Sequence, residues 1–309
     1  MCQTQMLDAT GEASYGAVMI KIAYLSSKVT LPGSPIRRED AFEHDRMIDA
    51  LHPSFAAKGT ELIAVDWADK TQDWGRYEAA IIGTTWDYWD HAEAFLQTLE
   101  RIETGTPLFN SAEVVKWNSH KRYLEDLQRK GARLIPTLWI DQVTEESFLK
   151  AFKKLESDDL VLKRQVGAGA AGQYRLSPGD TLPDMPHPMM VQPFLPMIQE
   201  EGEYSFIFIG GAFCHALIKQ AKAGDYRIQS AYGGYETAIF PSPEDLADAE
   251  AIMATLDEAP LYARVDMLRG EDGRLLLMEL ELIEPYLYPL EGPRLGSMMA
   301  DAVVKRLGL

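Results

Sequence analysis

The chain has 309 residues, of which 46% are hydrophobic and 25% charged, the composition of an ordinary globular protein of two or three domains. Its formal net charge of −17 argues against a nucleic-acid or anionic-membrane partner, and no apolar run reaches the ~20 residues of a membrane-spanning helix. Its two cysteines, Cys2 and Cys214, form no disulfide framework, which predicts a reducing, cytoplasmic location.

The first 18 residues are polar and acidic. They lack the basic start and the apolar centre of a signal peptide. We therefore predict a flexible N-terminal tail over residues 1–18, with a tag remnant or an upstream start as the alternatives and Met19 as the functional beginning.

Over residues 19–113 the sequence alternates between strand patterns and helix patterns, which is typical of βαβ units. Residues 19–25, 61–67 and 79–83 are predicted strands, and residues 39–51 and 93–102 are predicted helices. This order indicates a small parallel α/β sheet. The run 84–88 (TTWDY) follows the third strand, at the edge where such sheets bind ligands, although aromatic residues there also serve packing.

A helix is predicted over residues 118–131, with Asn118 as its N-cap and Gly131 at its end. Lys121 then lies in the first turn, where a cation is unfavourable with the helix dipole. Lys121 is therefore either solvated or directed at an anion.

A strand over residues 160–165 carries Lys163 and leads into a loop of three glycines and three alanines, residues 167–172. Such small residues let backbone N–H groups approach a phosphate chain closely. The loop lacks the P-loop pattern, so a flexible hairpin tip is the alternative. The apolar strand 189–195 beyond it can offer backbone groups to a planar base.

Residues 261–283 are predicted to form a β-hairpin with Asp272-Gly273 as the turn. Counting outward from that turn sets Asp266 opposite Glu279 and Arg264 opposite Glu281, with all four on one face. The opposite, core-facing side is predicted to hold the apolar residues Ala263, Val265, Met267, Leu276, Met278, Leu280 and Leu282. Three adjacent carboxylates require cations, and Arg264 with a divalent metal such as Mg²⁺ would supply them. A solvated acidic face is the alternative.

Several stretches together resemble the ATP-grasp superfamily of ligases: WNSHKRYL, LVLKRQVGAGAAG, VQPFL, EGEYSFIF and ARVDML…LMELELIEP. The resemblance covers residues 114–285 in order. Within the superfamily the chain is similar to ligases that close O-ureido-D-serine to D-cycloserine and to proteins like the glutathione synthetase ATP-binding domain. Two positions depart from the family pattern, because His120 stands where an acidic residue is usual and Glu281 where Asn is usual.

The resemblance implies an α/β fold that is α+β in its C-terminal part, namely an ATP-grasp fold preceded by a parallel α/β domain. The implied domains are an N-terminal α/β domain (19–113), a central ATP-grasp subdomain with a phosphate flap (114–189) and a C-terminal ATP-grasp subdomain with the magnesium site (190–309).

The resemblance also implies roles for individual residues, with ATP and Mg²⁺ as cofactors. Residues implied to bind ATP are Lys121, Lys163, Gly167, Gly169, Gly172, Gln192, Pro193, Phe194 and Glu203. Residues implied to hold Mg²⁺ are Asp266, Glu279 and Glu281. Arg264 would stabilise the transferred phosphoryl group, and Lys219 and Arg227 are candidates for binding a substrate carboxylate. Trp86, Tyr88 and Tyr232 are further candidates for the substrate pocket.

The implied activity is an ADP-forming ligase that activates a carboxylate as an acyl phosphate and joins it to an amine, on a small amino-acid-like substrate. Cyclisation and intermolecular ligation both remain open, as does homo-oligomerisation. The alternatives are a nucleotide-binding regulatory protein with a degenerate site and an enzyme that only phosphorylates. Retention of all three acidic residues, Asp266, Glu279 and Glu281, favours an enzyme over the regulatory protein.

Overall fold

The computed structural model describes residues 6–7, 13–14, 19–167, 172–222 and 233–309. Most of the predicted tail 1–18 lies outside these residues, and so do Gly169, Arg227 and Tyr232 from the predicted site. In the part that is described, β1 (Met6–Leu7) and β2 (Ala13–Ser14) form an antiparallel pair. No helix among the described residues is long and apolar enough to cross a membrane.

A four-stranded parallel sheet forms the N-terminal region, as its alternating pattern predicts. Its strands run in the order β4-β3-β5-β6, with bounds β3 (Ile20–Ser26), β4 (Thr60–Asp66), β5 (Ala79–Ile82) and β6 (Leu108–Phe109). The helices of this region are α1 (Phe42–Ala57) and α2 (Ala92–Glu103), with 3₁₀ turns at Glu39–Ala41, Trp74–Arg76 and Tyr88–Asp90. The inner strands β3 and β5 are largely buried, whereas the edge strand β4 is only partly buried.

The single helix predicted over residues 118–131 is wrong, since two helices stand there: α3 (Ala112–Asn118) and α4 (Tyr123–Arg129). Asn118 ends α3 rather than capping a helix. Its side-chain amide donates to the Leu280 carbonyl (2.9 Å) and accepts from the Leu282 N–H (3.1 Å), so it is committed to a distant strand. Lys121 consequently lies in the turn between the two helices.

A second sheet is antiparallel and has the order β7-β10-β8-β9. Its strands are β7 (Leu138–Ile140), β8 (Leu160–Arg164), β9 (Tyr174–Leu176) and β10 (Met189–Pro193). The helix α5 (Glu145–Leu155) packs on it through Phe148 and Phe152 and begins with a capping box at Thr144.

The third sheet has five antiparallel strands in the order β13-β12-β11-β14-β15. They are β11 (Glu203–Ile209), β12 (Ala212–Gln220), β13 (Tyr235–Ile239), β14 (Tyr262–Arg269) and β15 (Leu275–Glu281). The accompanying helices are α6 (Met197–Glu200), α7 (Pro243–Met253) and α8 (Leu295–Leu307). One face of this sheet joins α1 and α8 in a shared core, which ties the sheet to the N-terminal region.

The β14–β15 hairpin has the predicted pairs, Asp266 with Glu279 and Arg264 with Glu281. The turn itself differs from the prediction. Gly270 N–H donates to the Arg274 carbonyl (2.8 Å), so the loop between them has three residues and not two. A β-bulge between Asp266 and Met267 restores the register.

The bulge changes the core face near the turn. Leu275 and Leu277 are fully buried with Ala263, Val265 and Met267, whereas Leu276 and Met278 pack in a separate cluster on the other side. The predicted core positions of Leu276 and Met278 were therefore wrong, because a single extra residue moves each side chain to the opposite face.

Asn110 joins the parallel sheet to the five-stranded sheet. It has a φ of 61°, and its amide donates to the carbonyl oxygens of Tyr262 (2.9 Å) and Leu282 (2.8 Å) while accepting from the Leu261 N–H (2.7 Å). The Tyr262 hydroxyl lies 2.7 Å from the Ile82 carbonyl oxygen. These buried bonds link the end of β6 to β14 and the segment after β15.

Candidate functional site

Arg264 organises the polar face of the β14–β15 hairpin. Its Nε lies 3.1 and 3.0 Å from the two carboxylate oxygens of Asp266, and its Nη2 contacts Glu281. Its Nη1 donates to the Tyr286 carbonyl at 3.1 Å. A guanidinium bound on every side is held in one orientation, which is what a group that stabilises developing negative charge requires.

Asp266 is almost fully buried at 1% exposure and takes three partners: Arg264, the Ser205 hydroxyl and the Lys219 ammonium at 3.3 Å. Burial alone would raise the pKa of Asp266, but the charges of Arg264 and Lys219 outweigh it and hold that pKa below its usual value. Asp266 is therefore an anion at neutral pH.

Lys219 lies between two carboxylates, Glu203 and Asp266, on the neighbouring strands β11 and β14. Burial lowers the pKa of Lys219, yet the nearby Asp266 and Glu203 carboxylates raise it above the usual lysine value. Lys219 is a permanent cation beneath Asp266. Glu203, predicted to hold a ribose, is 2% exposed and is committed to Lys219 in this structure.

Lys121 forms an ion pair with Glu279 across the gap between the α3–α4 turn and β15. Its backbone N–H donates to the Gln165 carbonyl at 2.8 Å, which fixes the turn against the end of β8. The pKa of Glu279 is pulled two ways, since burial raises it while Lys121 lowers it, and the net pKa lies below the usual value. Lys121 and Glu279 thus meet at one place, as two predicted site residues of opposite charge.

Lys163 has no carboxylate within ion-pairing distance among the described residues. It lies on β8, and Glu279 is the carboxylate whose charge does most to raise its pKa. Burial lowers the pKa of Lys163 below the usual value. A half-buried lysine without a paired anion is suited to receive one from a ligand.

A cavity of about 70 Å³ opens at this point. Lys121, Glu279 and Glu281 line it, together with Gly167 at the start of the predicted phosphate loop. Its remaining lining residues come from three different segments: Tyr88, Asn118, Ser119, Leu280, Ile283 and Glu284. The structure therefore brings residues of both predicted groups, the ATP-binding and the metal-binding, to one cavity.

Glu284 lines the cavity on the side of the parallel sheet. Its backbone carbonyl accepts from Trp86 Nε1 at 3.1 Å, which fixes it to the 84–88 run. Burial, with the nearby Glu281 and Glu279 charges, raises the pKa of Glu284 well above the usual carboxyl value. Burial and the charges of the same three glutamates also raise the pKa of Tyr88, which lines the same cavity.

The other predicted nucleotide residues lie around β8 and β10. Gly172 has a φ of 70°, a left-handed conformation that favours glycine, and a Cβ there would push aside the Arg164 side chain, whose Nε would lie at 2.5 Å. Gln192 and Pro193 pair with β8, and the Gln192 side chain donates to the Thr137 hydroxyl at 2.9 Å. The Phe194 N–H donates to the Asp159 carbonyl at 2.8 Å, and the Phe194 ring packs under Arg175.

Sequence reasoning missed two residues that the structure brings to the site. Glu284 is one, and Tyr288 is the other. Tyr288 has a φ of 48° although it is not glycine, and its ring centroid lies 5.8 Å from Lys219 Nζ and 5.7 Å from the Arg264 guanidinium. Strained backbone beside two buried cations is typical of functional sites. No sequence motif marks Tyr288.

The donor set of the predicted metal site suits a hard cation. Asp266, Glu279 and Glu281 present carboxylate oxygens on one face, the ligand type that Mg²⁺ prefers. As these side chains lie, however, no three His, Cys, Asp or Glu residues of the described chain are arranged to hold a metal ion. Lys121 and Arg264 occupy their oxygens instead, so metal binding requires these ion pairs to rearrange.

Comparison with known proteins gives a consistent result. The N-terminal domain of D-cycloserine synthetase DcsG matches residues 22–110. The cycloserine biosynthesis protein DcsG of Streptomyces lavendulae is 28% identical over 263 residues, covering 78% of this chain and 87% of that protein. The glutathione synthetase of Prochlorococcus marinus (strain MIT 9313) is 29% identical over 190 residues, 56% of each chain. These similarities identify the chain as an ATP-dependent ligase homologous to DcsG.

Solved structures agree on the fold of this ligase. The crystal structure of D-cycloserine synthetase DcsG superposes with a TM-score of 0.77 at 24% identity, covering 93% of this chain and 99% of that one. The ATP-grasp ligase PsnB, solved with a phosphomimetic variant of its minimal precursor, Mg and ADP, gives a TM-score of 0.64 at 16% identity, covering 94% and 99%. The ATP-grasp fold class predicted for the ligase is confirmed.

Proposed function

We propose that the protein is an ADP-forming carboxylate–amine ligase that acts on a small amino-acid-like substrate through an acyl phosphate. The observation that carries this proposal is the convergence of Lys121 and Glu279 on the cavity that Gly167 and Glu281 also line. Cations, carboxylates and a small-residue loop at one cavity are the parts that phosphoryl transfer from a nucleotide needs. The homology to DcsG supports an amino-acid-like substrate.

In this proposal the nucleotide binds between the antiparallel sheet β7-β10-β8-β9 and the β14–β15 hairpin. Lys163, which has no paired carboxylate in the described chain, and Lys121, which exchanges Glu279 for phosphate oxygens, hold the phosphates. Gly167 and Gly172 give backbone access, with Gly169 between them outside the described residues. The adenine base is lined by the end of β10 and the residue after it, namely Gln192, Pro193 and Phe194. Glu203 remains a proposed ribose contact.

Asp266, Glu279 and Glu281 would hold Mg²⁺, whose charge when bound would offset that of the phosphate oxygens. Release of Lys121 from Glu279 frees one carboxylate for this role and one ammonium for the phosphates at the same time. The exchange keeps each charge paired, which avoids leaving a lone charge buried.

Arg264 acts on the transferred phosphoryl group, because its guanidinium is fixed by Asp266 and Glu281 and needs little reorganisation. The substrate carboxylate attacks the γ-phosphorus, ADP leaves, and an amine then displaces phosphate from the acyl carbon. Lys219 lies beneath Asp266 and stabilises its charge, and Arg227 remains a proposed carboxylate contact outside the described residues.

The test is nucleotide product analysis with purified protein, Mg²⁺, ATP and pools of amino acids and their derivatives. ADP and phosphate whose release depends on one pool support the proposal, and hydroxylamine in the mixture should yield a hydroxamate. AMP with pyrophosphate would mean adenylation and would contradict it. ADP release without hydroxamate or amide would indicate a phosphorylating enzyme instead.

A further inference from the structure

Side chains close the outer edge of β15, the strand that carries Glu279 and Glu281. β15 is an outer strand of the five-stranded sheet, so the backbone groups on its outer side need partners other than a strand of that sheet. At Leu277 these groups bond to the backbone of residues 133–135, which follow α4. Beyond Leu277, side chains take over this role as the edge reaches the cavity.

Asn118 and Tyr123 supply three of the bonds to this edge. Asn118 Nδ2 donates to the Leu280 carbonyl (2.9 Å), and the Leu282 N–H donates to Asn118 Oδ1 (3.1 Å). The Leu280 N–H donates to the Tyr123 hydroxyl oxygen at 2.8 Å. Asn110 takes the remaining group, because its amide donates to the Leu282 carbonyl (2.8 Å). Every outward N–H and C=O group of Leu280 and Leu282 therefore has a side-chain partner.

The places of Asn118 and Tyr123 in the chain connect these bonds to Lys121. Asn118 ends α3 and Tyr123 begins α4, so both ends of the turn that carries Lys121 are bonded to the same strand. Along that strand the bonded residues alternate with Glu279 and Glu281, which line the cavity with Lys121. A shift of β15 against the turn would change the distance between the Lys121 ammonium and both carboxylates.

We propose that Asn118 and Tyr123 are positioning residues, which set the spacing between Lys121 and the carboxylates of Glu279 and Glu281. This inference rests on the proposed nucleotide and metal roles of those three residues and adds the contacts that align them. Asn118 and Tyr123 act through backbone groups of β15, so neither has to touch the nucleotide. Alignment matters because a misplacement of ~1 Å in such a site can cost about 100-fold in rate.

The test is calorimetric titration of the protein with a non-hydrolysable ATP analogue in the presence of Mg²⁺. Tyr123→Phe deletes one oxygen and leaves the ring in the core, and it should raise the Kd of the analogue about fivefold. Asn118→Ala deletes two bonds and should raise that Kd about tenfold or more. Each variant is also melted thermally to measure its stability.

The matched control is Thr106→Val, which also deletes a buried hydroxyl bonded to the backbone. The Thr106 hydroxyl donates to the Trp74 carbonyl (2.9 Å) and precedes β6, at the end of the parallel sheet opposite to the 84–88 run. Thr106→Val should lower the melting temperature and keep the Kd of the wild type. An equal rise in Kd in Thr106→Val would trace the loss to general destabilisation and overturn the inference.

A double variant shows whether Tyr123 acts through Lys121. Once Lys121→Ala has removed the ammonium, Tyr123→Phe should change the Kd by less than about twofold, because coupled residues are not additive. The same rise in Kd with and without Lys121 would overturn the inference, as would an unchanged Kd in both Tyr123→Phe and Asn118→Ala. Either result leaves the ligase function standing, whereas a wild-type protein that does not bind the analogue would contradict both proposals.

Discussion

Arg264 stands directly opposite Glu281 across the β14–β15 hairpin, and its guanidinium contacts both Glu281 and Asp266. One arginine therefore forms ion pairs with two of the three carboxylates proposed to bind the metal. The third, Glu279, is paired with Lys121 from a different element. The carboxylates are thus neutralised by two separate cations, and their substitutions should have different effects.

Glu279→Gln removes a charge without changing the size of the side chain. We expect turnover to fall by about 100-fold or more, the effect of losing one oriented electrostatic contact in a transition state. The fold should persist, because the amide oxygen still accepts from Lys121. Steady-state ADP release and a thermal melt measure the two quantities. Full activity in a folded Glu279→Gln protein would remove Glu279 from the metal site.

Glu281→Asn restores the residue that the family pattern has at this position. Arg264 keeps its two contacts with Asp266, and the Asn oxygen remains a neutral metal ligand. We expect turnover to change less than tenfold, and Glu281→Leu, which has no oxygen, to lose about 100-fold. ADP release under saturating Mg²⁺ gives both values. Equal losses in the two variants would show that the carboxylate itself is needed.

Lys163→Ala should weaken ATP binding by about tenfold, which corresponds to ~1.4 kcal/mol. Among the described residues Lys163 has no ion-pair partner to lose, so the variant should fold normally. Lys154→Ala, at an exposed position of α5, is the matched control. Calorimetric titration with a non-hydrolysable ATP analogue measures both. An unchanged Kd in Lys163→Ala would exclude this lysine from the nucleotide site.

His44 should make the protein less stable in mild acid. It is 1% exposed, its Nδ1 lies 2.6 Å from the Thr84 hydroxyl, and burial lowers its pKa to about 4. Since the unfolded chain binds a proton near pH 6.5 and the folded one only near pH 4, stability is full above pH 6.5 and falls as the pH drops through that window.

The size of this effect follows from the same shift. Between pH 7.5 and pH 5 the free energy of unfolding should fall by about 2 kcal/mol through His44 alone. Urea denaturation at both pH values measures it, with His44→Asn expected to reduce the difference. His187→Asn, at an exposed position, is the control. A pH difference as large in His44→Asn as in the wild type would contradict the assignment.

Asn110→Ala should destabilise the protein by about 3 kcal/mol or more, because two buried carbonyls and one N–H lose their partner. Asn110→Gly loses the same bonds, but glycine adopts the φ of 61° more readily than alanine. Its loss of unfolding free energy should therefore be about 1 kcal/mol smaller than that of Asn110→Ala. Chemical denaturation compares the two. Wild-type stability in Asn110→Gly would show that the backbone conformation, and not the hydrogen bonds, is what matters there.

The hairpin shows how far the sequence can predict this site. The pairs Arg264–Glu281 and Asp266–Glu279 were correct, yet the turn was taken as one residue too short and the bulge was not foreseen. These two errors cancel at the carboxylates and not at Leu276 and Met278. Local turn signals predict a hairpin but not a bulge, which depends on what packs on the sheet.

Long-range contacts account for the other differences. Asn118 is a good N-cap by residue type, but its amide binds β15, 162 positions further along the chain. Glu284 and Tyr288 carry no motif, and their importance comes from which residues fold against them. The parallel sheet, by contrast, was predictable because strand and helix periodicity are local properties. The domain boundaries at residues 18, 113 and 189 stay predictions.

The junction made by Asn110, Tyr262 and Trp86 has a consequence for the order in which ligands bind. These three side chains fasten the parallel sheet to β14 and to the segment after β15 by hydrogen bonds. The part of the cavity lined by Tyr88 and Glu284 is therefore held by contacts within the protein and does not depend on a nucleotide. Under the proposed function, the substrate would not have to wait for ATP, so either ligand could bind first.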